Sequence, residues 1–214
     1  TQDLAQAIPT KAFFVSMLTR DISLEDAILD LLDNCIDGAL RAANGGEVDY
    51  DKYEVNINLS EEEFSIQDNC GGIPREVAKN YAFKMGREPD DERDNDSETI
   101  GMYGVGMKRA IFKMGTRSTV TTHYDDDQYQ VEFSPDWLLS KAWEPLPILT
   151  LNSVEELPST GTVIVARELY PGVSRQFRSD SFINELIKII GEHFTVFLQK
   201  GMTIRVNRVE VEPI

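Results

Sequence analysis

The clearest pattern in the chain is helical and lies over residues 23–43, SLEDAILDLLDNCIDGALRAA. Leu24, Ala27, Ile28, Leu31, Cys35 and Ala39 recur at three- and four-residue spacing, and Leu32, Ile36 and Leu40 widen the stripe. Ser23, with Asp26 three residues on, can form a capping box, and Asn44-Gly45-Gly46 ends the helix. Alternating runs at 53–60 (YEVNINLS) and 63–69 (EFSIQDN) predict strands. Residues 74–84 predict a short helix with Pro74 in its first turn. Residues 116–124 and 128–133 predict a hairpin around an Asp triplet, and GTVIVAREL (161–169) another strand. MKRAIFKMG (107–115) and residues 180–199 read as helices, and MTIRVNRVEVEP returns to strand. This order predicts one α+β domain over residues 1–214: a two-layer sandwich whose mixed, mostly antiparallel sheet carries helices on one face.

The 23–43 helix breaks a local rule. Asp30, Asp33, Asn34 and Asp37 stand three or four residues apart and form a second stripe beside the apolar one. Like charges at that spacing repel, and Asp and Asn are mediocre in helix interiors. A solvated acidic face is the plain alternative. Against it, Leu31, Leu32, Cys35 and Ile36 crowd the same turns, so both flanks of the helix are expected to be buried. Such a stripe suits a hard cation and a positioned water. Asn34 can offer its amide oxygen to Mg²⁺, which keeps several waters and takes few protein ligands.

Glycine marks two other places. In DNCGGIP (68–74), Gly71-Gly72 lets the backbone turn tightly after a strand, and Asp68 at the strand end can accept from an exocyclic amine. In GMYGVGMK (101–108), Gly101, Gly104 and Gly106 precede a helix, where free amides favour phosphate. The spacing is neither a Walker A loop, since Met107 stands where Lys is needed, nor the dinucleotide fingerprint. Each box alone is weak. Between them, residues 86–99 are polar, acidic and aperiodic and read as a mobile loop.

Composition narrows the classes. A net charge of -16 weighs against a nucleic-acid or anionic-membrane surface, yet leaves room for one anionic ligand held by local donors and a metal. No apolar run is long enough to span a bilayer. Two cysteines make no disulfide framework, so a reducing cytoplasm is the expected compartment. His123 and His193 are isolated and read as structural. The start at Thr1 and the end at VEVEPI suggest a domain of a longer protein.

Taken in order, the acidic-Asn helix, D-x-x-G-G-I, the acidic loop, G-x-x-G-x-G-x-K and GTVIVAREL resemble the GHKL ATP-binding family. That family includes gyrase, MutL, the MORC proteins, the ninety-kilodalton heat-shock chaperones and histidine kinases. DLLDNCIDGA and GMYGVGMKRA look nearest to its MutL-like and MORC-like members. The resemblance implies ATP and Mg²⁺, with Asn34 on the metal and Asp30 activating the attacking water. It implies Asp68 on the adenine amino group, supported by Thr162, with Gly72 and Ile73 shaping the adenine pocket. It implies Gly101, Gly104 and Gly106 around the phosphates with Lys108 near them, and residues 86–100 as an ATP lid. It further implies an ATP-dependent homodimer that switches a larger protein.

This chain departs from the family twice. Asp30 stands where most of these ATPases have Glu, one methylene longer. A misplacement of about an ångström can cost roughly a hundredfold in rate, so slow hydrolysis and ATP sensing without hydrolysis are both left open. A protein-interaction module with a degenerate pocket is the third reading. Cys70 stands where the family has the first glycine of its second box.

Overall fold

The computed structural model describes residues 7–85, 105–152 and 160–214, together with Asp3 and Ala5. Alternation builds the sheet. Val55, Ile57 and Leu59 are the buried positions of β1 (Glu54–Leu59), and Phe64, Ile66 and Asp68 those of β2 (Glu63–Asp68). Burial with period two presents one face to the core and leaves the other polar. The remaining strands are β3 (Gly115–Tyr124), β4 (Asp127–Phe133), β5 (Ile148–Thr150), β6 (Gly161–Leu169), β7 (Thr203–Val206) and β8 (Val209–Glu210). They form one eight-stranded sheet in the order β5-β4-β3-β6-β2-β1-β7-β8. Among the described residues only the β1–β7 pairing is parallel. The predicted α+β sandwich with a mixed, mostly antiparallel sheet is the observed fold.

Helix α2 (Leu24–Ala42) carries the site. Ser23 Oγ accepts the Asp26 amide at 3.0 Å and caps it, as the sequence predicts. Its buried residues include Ile28, Leu31, Leu32, Cys35 and Ile36, and also Asp37 and Gly38, so the helix is enclosed on more than its apolar stripe. Helix α4 (Val105–Met114) packs across α2. After β2 comes α3 (Arg75–Val77), which runs into a π turn over Ala78–Ala82.

Helix α1 (Lys11–Thr19), α5 (Pro135–Leu139), α6 (Pro171–Phe177) and strand β5 have no counterpart in the sequence reading. Phe13 and Met17 of α1 are exposed, so no apolar stripe announces it. It is held instead by Lys11, only 2% exposed, whose Nζ donates to the Trp137 carbonyl at 2.5 Å. The same ammonium lies 3.9 Å from the Trp137 ring centre. The predicted helix over 180–199 divides into α7 (Asp180–His193) and α8 (Thr195–Gln199), because Phe194 leaves helical geometry at φ -104 and ψ 17.

Candidate nucleotide site

Sheet register sets one end of the site. Asp68, the last residue of β2, pairs with Thr162 of β6, and Thr162 pairs with Thr122 of β3. All three side chains lie on the helix-covered face and are buried. Asp68 Oδ1 accepts the Cys70 amide at 2.8 Å, and Oδ2 accepts the Cys35 thiol at 3.4 Å. Burial raises the Asp68 pKa to about 6; the Cys70 amide, the Cys35 thiol, the Thr162 backbone and the Arg41 charge pull the other way. Burial also pushes both thiols up, which keeps them neutral and lets Cys35 donate.

The turn after Asp68 is fixed from several sides. Asn69 Oδ1 accepts the Glu54 amide and Nδ2 donates to the Lys52 carbonyl, each at 2.8 Å. Gly72 takes φ +68 under β3, and a Cβ there would stand 2.2 Å from the His123 carbonyl oxygen. The Ile73 amide donates to Thr122 Oγ1 at 2.8 Å, and the Ile73 carbonyl accepts the Tyr129 hydroxyl at 2.7 Å. Thr122 Oγ1 also lies 3.1 Å from the Gly161 carbonyl and 3.2 Å from Thr162 Oγ1. Thr122 and Tyr129 therefore organise this pocket. Nothing in STVTTHY or QYQVEF distinguishes them from ordinary strand residues, so sequence reasoning passed over them.

The structure brings Asn34, Asp68, Gly72, Ile73 and Thr162 to a single cavity, roofed by Met107. In this state it encloses about 20 Å³, the space of a water.

The other end of the site is built by α2 and α4. Asp30 and Asn34 share one face of α2, a turn apart. Asp30 Oδ2 accepts from Arg109 Nη2 at 2.5 Å. Gly106 lies alongside, and a Cβ there would be 3.6 Å from Asp30 Oδ2, in ordinary contact. The buried Asn34 Nδ2 meets no acceptor among the described residues. Asp33 points elsewhere: burial raises its pKa, while His193 of α7 opposes that shift. Lys108 is not brought to this group. It is 1% exposed and donates to the Ala82 carbonyl at 2.9 Å, at the end of the π turn. Gly101, Gly104 and the 86–100 lid lie outside the described residues.

Among the described residues no cluster of three or more His, Cys, Asp or Glu side chains is suited to a metal ion. Asn34 carries a neutral amide oxygen, the kind of ligand that fits a Mg²⁺ held mainly by phosphates and water. No helix of the described residues is long and apolar enough to cross a membrane.

Residues 22–163 match the protein-family model described as "Histidine kinase-, DNA gyrase B-, and HSP90-like ATPase". No curated protein matches the chain at a significant level.

Proposed function

Because the chain belongs to the histidine kinase-, DNA gyrase B- and HSP90-like ATPases, we propose that its ATP-binding module takes Mg-ATP and hydrolyses it slowly as a conformational switch. The observation that supports this reading most is the convergence of Asp68, Thr162, Gly72, Ile73 and Asn34 on one cavity. Asp68 is buried, acceptor-rich and anionic at neutral pH, which suits an exocyclic amine. Asn34 supplies an amide oxygen for the metal, and Mg²⁺, when bound, neutralises phosphate charge beside a protein of net charge -16.

Asp30 is assigned the general base. It takes a proton from water as the water oxygen bonds to the γ-phosphorus. The bond from that phosphorus to the β–γ bridging oxygen breaks, and its electron pair leaves with ADP. Gly101, Gly104 and Gly106 are assigned to the phosphates, and residues 86–100 to a lid whose closure drives homodimerisation in the cytoplasm. The second reading, sensing without hydrolysis, is favoured by the Asp30–Arg109 ion pair, which occupies the base.

Single-turnover hydrolysis by wild type, Asp30→Ala and Asp30→Glu separates the two. A general base contributes about 10²–10⁴-fold, so Asp30→Ala should fall by at least about a hundredfold. Equal rates for wild type and Asp30→Ala would remove Asp30 from the chemistry and leave the sensor.

A further inference from the structure

Among the described residues, two buried donors near the start of α4 have no acceptor: Arg109 Nε and Asn34 Nδ2. Arg109 Nη2 holds Asp30 Oδ2 at 2.5 Å, and Asn34 follows Asp30 by one helical turn. An unsatisfied buried donor in a folded protein calls for an explanation. The guanidinium is a planar fork, and here one arm is engaged and the Nε–H is left over. A carboxylate occupies it incompletely. A phosphate, with three oxygens and more charge, would fill both positions.

Placement supports the same reading. Gly106, in the first turn of α4, lies against Asp30, 3.6 Å from its Oδ2 at the position of a Cβ, so the start of α4, Asp30 and Arg109 are neighbours. Lys108, the adjacent cation, is turned into the core toward the Ala82 carbonyl. The guanidinium meanwhile holds Asp30 Oδ2 at 2.5 Å, so that oxygen is engaged rather than open to a water.

We propose that Arg109 is a latch on Asp30 which the terminal phosphate of ATP releases. Without nucleotide the guanidinium engages the carboxylate. The γ-phosphate draws the guanidinium onto itself, satisfies Nε, and leaves Asp30 free to accept the proton of the attacking water. ADP, which lacks that phosphate, leaves the latch closed. Arg109 is thus a positioning residue that couples triphosphate binding to the base. The proposal rests on the nucleotide reading given above.

The test is a double-mutant cycle read by calorimetry, with the Mg complexes of a non-hydrolysable ATP analogue and of ADP. Wild type, Arg109→Ala, Arg109→Lys, Asp30→Asn and the Asp30→Asn/Arg109→Ala pair are compared, with thermal melts confirming folding. A bond to a charged group is worth enough to shift affinity about tenfold or more. Arg109→Ala should therefore weaken the triphosphate about tenfold and ADP by less than about twofold, with Arg109→Lys between. Asp30→Asn should tighten the triphosphate when Arg109 is present, by freeing its fork, and should tighten it less when residue 109 is Ala. Simple charge repulsion predicts the opposite order, because Arg109 would then be shielding Asp30. That opposite order, or equal losses for triphosphate and ADP in Arg109→Ala, overturns the latch while leaving the nucleotide site standing. Wild type that binds neither nucleotide overturns both.

Discussion

The single proton of the Cys35 thiol has two acceptors, the Leu31 carbonyl at 3.3 Å and Asp68 Oδ2 at 3.4 Å, and the second links the middle of α2 to the end of β2. A thiol is a weak donor, so it steadies the carboxylate without filling it. Asp68 is left charged at neutral pH in a place that is only 9% exposed, with a pKa of about 6. A site meant only for stability would not hold it there.

That cost can be measured. The folded-state pKa lies above the unfolded value, so the folded protein holds this proton more tightly. The stabilisation is complete below about pH 4 and is lost as the pH rises through about 6. Asp68→Asn should stabilise the nucleotide-free protein at pH 7 by about 1–3 kcal/mol. The gain should vanish near pH 4, where wild type is protonated too. Thermal melts at the two pH values check the sign. Calorimetry with Mg-ADP should show the same variant losing affinity.

Thr122→Val keeps the shape of the side chain and removes its hydroxyl. The Ile73 amide, which donates to that oxygen at 2.8 Å in a buried setting, loses its acceptor. The expected cost is about 1–3 kcal/mol. ADP binding should weaken as well, because Ile73 lines the cavity. Denaturant titration and calorimetry report the two effects separately.

Gly72→Ala meets two obstacles. The backbone has φ +68, and the new Cβ would overlap the His123 carbonyl oxygen at 2.2 Å. That neighbour is backbone near the end of β3, paired with Gln128 of β4 and Gly161 of β6, and cannot swing aside. An unstrained Gly→Ala replacement gains about 0.4–1 kcal/mol by restricting the unfolded chain; here strain and overlap should turn that into a loss of about 2–4 kcal/mol. A melt that moves by less than about 2 °C would contradict the geometry.

Lys11→Ala removes both the bond to the Trp137 carbonyl and the cation over its ring. Together they predict a loss of roughly 2 kcal/mol. For a chain of this size that is a drop in Tm of about 4–8 °C. Water reaching Trp137 should shift the tryptophan emission to the red.

Periodicity made part of this molecule readable before any coordinates. Helix α2, its Ser23 cap and β6 follow from spacing and alternation, and β6 fills the 161–169 span that its alternation predicts. Asp68 was legible because a strand end followed by two glycines is a local pattern. What escaped is set by packing between distant elements. Lys108 and Arg109 are neighbours on α4, and sequence favoured Lys108 for phosphate. Met107, Ala110 and Ile111 are buried around it, and that orientation sends Lys108 inward and Arg109 toward Asp30. Thr122 gained its part only from register with Thr162. Lys11 reads as a surface charge until Trp137 covers it.

The pairing of Asp68 with Thr162 also bears on how the chain is made. Strand β6 lies between β2 and β3 in the sheet, yet it follows both in the chain. Until β6 leaves the ribosome, β2 and β3 each show an unpaired edge, the kind of surface that recruits other chains. The pocket floor does not exist during that interval. ATP therefore cannot assist the early collapse of this domain, and can hold only a sheet whose central strand is already in place.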